Sequence, residues 1–173
     1  VQEAVEKITA LSGLPLIWHF IGPIQSNKTR QIAERFDWVH SIDRLKIAER
    51  LADARPADRA PLQVCIQVNI GDESSKSGVA PADAPELARA ICRLPQLNLR
   101  GLMTIPPVST DNIVQRGYFA QLRRLRNEIE SQVCPLDTLS MGMSADLEAA
   151  IAEGSTIVRV GTAIFGTRHR HHN

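Results

Sequence analysis

Near the end of the chain, Ser144, Arg159, Gly161 and Thr162 combine two hydroxyls, a guanidinium and a residue without a Cβ. These are groups that recognise an anion. Ser144 follows an apolar run and opens a helical pattern, so it is predicted to cap a helix whose first N–H groups carry partial positive charge. Gly161 lets a ligand approach the backbone closely, and Thr162 adds a hydroxyl and a further N–H. A phosphate monoester fits this set. A helix cap and a turn glycine account equally well for Ser144 and Gly161 taken singly. Arg159 narrows the choice. It stands between Val158 and Val160, two positions from Gly161 on the same side of a strand. A buried guanidinium there needs an acceptor. A carboxylate or carbonyl would serve, and so would an aromatic nitrogen on the ligand that carries the phosphate. Opposite a permanent cation, such a nitrogen stays unprotonated.

Other chemistry-bearing residues are scattered. His19 faces the same way as Ile17 and Ile21 in an early strand, where histidine serves either as a structural hydrogen-bonding group or as a ligand contact. Lys76, in Glu73-Ser74-Ser75-Lys76-Ser77-Gly78, could attract a phosphate or simply be a solvated loop lysine. Cys65 has no neighbouring base and reads as a buried thiol. The sequence offers neither a Ser-His-Asp order, nor a metal-ligand cluster, nor a Gly-rich nucleotide loop.

Six strand-then-helix units must position these groups. Strands are predicted over 16–22, 38–42, 64–70, 101–105, 138–143 and 156–160. Helices are predicted over 1–11, 28–36, 45–54, 82–93, 113–133 and 146–153, with Ser26 or Asn27 capping the second and Gly154 ending the last. This order means a parallel sheet flanked by helices. In the third strand Gln63, Cys65, Gln67 and Asn69 alternate with Val64, Ile66, Val68 and Ile70. In the last, Ile157, Arg159 and Gly161 alternate with Val158 and Val160. One polar and one apolar face suit a barrel lumen; an open sheet covered on both sides would be apolar on both. The predicted fold is therefore α/β, of the (β/α)8 TIM-barrel type, with about six of eight units present. The missing two would precede Val1, so the chain reads as N-terminally truncated. Such barrels commonly hold phosphate at the loops after strands seven and eight, which here are 143–146 and 161–163.

Composition agrees with this reading. Of 173 residues, 43% are apolar and 23% charged, and the net charge is +1. That supports a folded core and gives no reason to expect a nucleic-acid partner. No apolar run is long enough to span a membrane. Cys65, Cys92 and Cys134 are widely spaced and odd in number, which argues against a disulfide framework and fits a reducing, cytoplasmic setting. Residues 1–168 read as one domain, and 169–173 as a polar tail.

Five motifs carry a resemblance. They are Trp18-His19-Phe20-Ile21-Gly22-Pro23-Ile24-Gln25-Ser26-Asn27-Lys28, then Val68-Asn69-Ile70 with Glu73 to Gly78, and Arg100-Gly101-Leu102-Met103-Thr104-Ile105-Pro106. The last two are Leu139-Ser140-Met141-Gly142-Met143-Ser144-Ala145-Asp146 with Ala149 and Ile151, and Gly154 to Gly166. In this order the chain closely resembles the pyridoxal 5′-phosphate homeostasis proteins (the YggS/PROSC family) from Val1 to Arg168. The resemblance implies a barrel like the N-terminal domain of alanine racemase. It also implies pyridoxal 5′-phosphate as cofactor and a non-catalytic role in vitamin B6 and amino-acid balance. Ser144, Gly161 and Thr162 would hold the phosphate, Arg159 would face the pyridine nitrogen, and Met143 and His19 would lie near the ring. The family's Schiff-base lysine belongs to a strand upstream of Val1, and none of Lys7, Lys28, Lys46 or Lys76 occupies its place. A barrel opened in this way would expose two sheet edges and self-associate. Two alternatives stand beside this reading: a pyridoxal-phosphate racemase or decarboxylase on the same barrel, and a metabolic barrel that binds phosphate without pyridoxal. The racemase's second acid/base is a tyrosine, and the only one here, Tyr118, falls in an outer-helix pattern.

Overall fold

The apolar outer-face residues of the strands dictate where they pack. In a computed structural model, which describes residues 1–71 and 77–166, six strands run in sequence: β1 His19–Phe20, β2 Trp38–Ile42, β3 Leu62–Gln67, β4 Leu97–Met103, β5 Thr138–Met143 and β6 Ile157–Arg159. All neighbours are parallel, and their order in the sheet is their order in the chain. Parallel crossovers keep one hand, so strictly sequential order places every connecting helix on one face and leaves the other concave. The result is a curled half-barrel. Lys76 and the tail from 169 lie outside the described residues.

The helices are α1 Gln2–Ala10, α2 Thr29–Arg35, α3 Leu45–Ala54, α4 Ala84–Ile91, α5 Asn112–Gln132, α6 Leu147–Ala152 and α7 Thr162–Phe165. Val39, Val64, Ile66, Leu99, Leu102 and Leu139 face them and pack on Ile47, Leu51, Ile91, Phe119 and Leu122. Fully burying each such side chain contributes roughly 1.5–3 kcal/mol. Cys65 and Met103 are also fully buried but stand outside this cluster, because they belong to the concave face with Trp38, His40, Gln67, Ser140 and Arg159. The alternation expected in β3 is present.

One irregularity in β4 shapes the concave face. The register slips between the pairs Val64–Leu99 and Cys65–Gly101, which leaves Arg100 as an extra residue in β4. Its guanidinium pairs with Asp137 at 3.0 and 2.6 Å, donates to Gln63, and lies 4.9 Å from the Trp38 ring. Trp38 stacks on His19 at 5.3 Å. These residues form a polar floor near the strands' N-terminal ends.

Three expectations need correction. The first strand is two residues rather than seven, because it pairs on one side only and Ile17 is two-thirds exposed. Neither Ser26 nor Asn27 caps α2; both lie in a 3-10 turn, and the Ser26 carbonyl accepts a bond from the Thr29 hydroxyl. The outer face of β6 is only partly covered, leaving Val158 exposed.

Candidate cofactor-binding site

Gly142 turns the chain out of β5. Its φ is +95°, and a Cβ there would sit 2.5 Å from that of Ala150 in α6. Glycine is thus required twice, for conformation and for close packing. The turn that follows is closed by Asp146, whose Oδ1 accepts from the Met143 N–H at 2.6 Å. This overturns the expected cap. Helix α6 begins at Leu147 without a side-chain cap, and Ser144 sits exposed in the turn ahead of it. The Asp146 N–H, which a cap at Ser144 would have met, donates instead to the Met143 carbonyl at 3.1 Å. Ser144 keeps its hydroxyl toward solvent.

Beside this turn, β6 delivers Arg159 opposite Met143. Met143, Ser144, Arg159, Gly161 and Thr162 line one cavity of about 510 Å³, together with Ala145, Phe165 and Gly166. That volume is within the range of small-molecule sites. A Cβ built on Gly161 meets nothing within 4 Å, so the cavity is open where a ligand would approach the backbone. The structure thus gathers every predicted site residue except His19. Phe165, exposed at the rim, was missed; its place in the Gly161–Gly166 run was the available signal.

Arg159 is held from below. It donates to the Ser140 Oγ at 2.9 Å and to the Thr104 carbonyl at 2.8 Å. Thr104 is itself fixed, since its hydroxyl donates to the Val68 carbonyl and its N–H to the Ser140 carbonyl. Two of five guanidinium N–H groups are thereby committed. Burial lowers its pKa, and the nearby Asp146 opposes that shift; the group remains a cation at any ordinary pH.

From Ser140 the network crosses the concave face. Ser140 Oγ lies 2.8 Å from His40 Nδ1, and His40 Nε2 lies 2.8 Å from His19 Nδ1. Ser140 is fully buried and already accepts from Arg159, so its own proton goes to the acceptor left, His40 Nδ1. His40 is therefore the Nε2–H tautomer and donates to His19 Nδ1. Its pKa is pushed down to about 3 by burial first, then by His19 and Arg159. Burial also lowers the His19 pKa, against a raising contribution from Asp37. His19 thus reaches the arginine through two intermediaries. Sequence reasoning passed over His40, Ser140 and Thr104, although strict alternation places His40 and Ser140 on the lumen face. Among the described residues, no group of three or more His, Cys, Asp or Glu could hold a metal ion.

A sequential parallel sheet with helices on one face and an arginine-bearing cavity at its last strand ends defines a barrel-type ligand-binding protein. The alanine racemase N-terminal domain model matches residues 1–169. The pyridoxal phosphate homeostasis protein of Pseudomonas aeruginosa is 60% identical over 168 residues, 97% of this chain and 72% of that protein. Its Escherichia coli namesake is 54% identical over 171 residues, 97% of this chain and 73% of the other. The chain belongs to the alanine racemase N-terminal domain family and, within it, to the pyridoxal phosphate homeostasis proteins. Among solved structures, the PipY protein of Synechococcus elongatus with pyridoxal phosphate bound superposes with a TM-score of 0.86 at 39% identity, covering 95% of this chain and 78% of PipY. Alanine racemase of Corynebacterium glutamicum, at 15% identity, a TM-score of 0.68 and coverage of 95% and 47%, shares the fold.

Proposed function

We propose that the chain binds pyridoxal 5′-phosphate and serves vitamin B6 and amino-acid homeostasis without a catalytic reaction of its own. The observation that carries this reading is the convergence of Arg159, Ser144, Gly161 and Thr162 on one cavity. The names of the relatives and the ligand-bound PipY structure support it. Ser144, Thr162 and the open backbone at Gly161 hold the phosphate. Arg159 faces the ring nitrogen and keeps it unprotonated, while Met143 packs beside the ring. His19 stands outside the cavity lining and steadies the arginine through His40 and Ser140. When bound, the cofactor supplies an aldehyde and an electron-withdrawing ring, which the arginine weakens as an electron sink. Among the described lysines, Lys7, Lys28 and Lys46 do not line the cavity.

Residues 1–168 act as one binding domain in the cytoplasm, with no nucleic-acid or membrane partner. No helix among the described residues is long and apolar enough to cross a membrane. Strands β1 and β6 each pair on one side only, and exposed Ile17 and Phe165 lie near those edges. Self-association through them is expected, and sedimentation at increasing concentration reads it.

The racemase alternative needs a second acid/base at the cavity, and Tyr118 is instead a half-buried residue of α5 packed against the hydrophobic core, outside the cavity lining. Equilibrium dialysis tests the main reading. Pyridoxal phosphate should bind saturably, compete with inorganic phosphate, and bind at least roughly tenfold more weakly to Arg159→Gln, the loss of one charge-assisted bond. Equal binding by that variant would remove the support for this site. Competition by phosphate with no preference for the pyridoxal ester would favour the phosphate-only barrel.

A further inference from the structure

Cys92 caps the C-terminal end of α4, and Cys134 follows α5 by two residues. Their sulfurs lie 2.7 Å apart although 42 residues separate them. A disulfide bond measures about 2.05 Å, so closure needs only a small movement. Cys92 is exposed and Cys134 half-buried, whereas Cys65 is sealed inside. The pair precedes β4 and β5, at the opposite end of those strands from Met143 and Thr104. It is therefore separate from the cofactor cavity.

We propose that Cys92 and Cys134 form a reversible dithiol–disulfide site that low-molecular-weight disulfides oxidise. Cys92, the exposed member, attacks as the thiolate on one sulfur of the small disulfide. A mixed disulfide forms and the first small thiol leaves. Cys134 then gives up its proton to solvent and attacks the Cys92 sulfur, and the second small thiol departs. The protein loses two electrons and two protons as its S–S bond forms, and the small disulfide gains them as two thiols. The order of attack follows from the surroundings. Burial, and then the hydrogen bond to Cys92, push the Cys134 pKa up to about 12, so it keeps its proton until a sulfur beside it becomes electrophilic. The odd, widely spaced cysteines gave no hint of this in sequence, because only the fold brings the end of α4 to the segment that follows α5.

The bridge would close a loop that contains all of β4 and α5, a constraint that acts mainly on the unfolded chain. The test uses the wild-type chain in buffers of increasing oxidised-to-reduced glutathione ratio, quenched with a maleimide and weighed intact. The reduced chain should take two labels when native and a third, at Cys65, only after unfolding. The oxidised chain should take none when native, weigh two hydrogens less than the reduced chain, and give a Cys92–Cys134 peptide under non-reducing digestion. Its thermal midpoint should rise by roughly 5–10 °C. Cys134→Ser should stop at the glutathione adduct on Cys92. A wild-type chain that keeps both labels in oxidised glutathione, stops at a stable adduct, or pairs between molecules overturns the proposal. None of these readouts depends on cofactor binding.

Discussion

His40 Nδ1 stands 2.8 Å from the Ser140 hydroxyl, so that β2 and β5 are joined through the lumen by two side chains 100 residues apart in sequence. Both are buried, and their meeting fixes the direction of a hydrogen-bond chain from Arg159 to His19. The guanidinium always donates, and Ser140 passes its own proton to His40, which in turn donates to His19. In this arrangement His40 is neutral, in keeping with its lowered pKa.

Acid stability follows with a definite sign. The His40 pKa lies near 3 in the folded chain against 6.5 ordinarily. Between those values the unfolded chain binds a proton that the folded chain refuses. Stability from this group is complete above about pH 6.5 and is lost as pH falls, by up to about 1.4 kcal/mol per unit. Burial imposes most of this, and the charged or titratable groups that add to it are His19 from β1 and Arg159 from β6. His40→Gln, which does not titrate, should flatten the acid limb in urea unfolding between pH 4.5 and 7. Parallel limbs for the variant and the parent would contradict the assigned state.

Ser140 is the joint between the histidines and the arginine. Ser140→Ala leaves His40 Nδ1 and one guanidinium N–H without their partner, at a cost of roughly 1–3 kcal/mol. Urea midpoints should fall accordingly. Dialysis against pyridoxal phosphate should show weaker binding too, although Ser140 itself lies below the cavity wall. A loss of stability with no change in binding would confine Ser140 to a structural role.

Arg55 does for α2 what a cap would do. It is 8% exposed, and it donates to the carbonyls of Ala33, Phe36 and Ala60. The first two carbonyls, at the end of α2, otherwise go unmet. Arg55→Met should destabilise the fold by about 2–3 kcal/mol, since bonds to charged donors are the stronger kind. Cofactor affinity should stay unchanged, because the residue is remote from Arg159.

Much of this was legible in the chain. The limits of β2 and β5 are those the alternation of side chains gives, because each pairs on both sides and one face is plainly apolar. Arg159, Gly161 and Thr162 were readable as a set because they are adjacent in sequence, and the β6 pleat aims Arg159 at the lumen. Contacts that depend on the curl of the sheet were hidden: His40 with Ser140, and Cys92 with Cys134. The capping expected of Ser144 failed for a local reason: a tight turn lets the Met143 carbonyl meet the Asp146 N–H, and residue types alone do not reveal that turn. Phe165 was overlooked because an aromatic in a short terminal helix carries no periodic signal.

Gly142 joins fold and site most directly, and a pair of substitutions separates its two demands. Gly142→Ala meets a strained positive φ, worth about 1–3 kcal/mol, and a collision with the Ala150 methyl at 2.5 Å. Adding Ala150→Gly removes the collision while leaving the strain and costing about 1 kcal/mol of helix propensity. The strain is common to both variants and cancels, so the double variant should be more stable than Gly142→Ala alone if relief of the collision exceeds the propensity cost of about 1 kcal/mol, and less stable if it does not. Because Met143 and Ser144 follow directly, a displaced turn should also loosen the Met143–Asp146 bond and weaken phosphate binding. That loss should be recovered with stability in the double variant. Stability regained with binding still absent would show that the turn conformation itself, rather than the packing of α6, shapes the cavity wall.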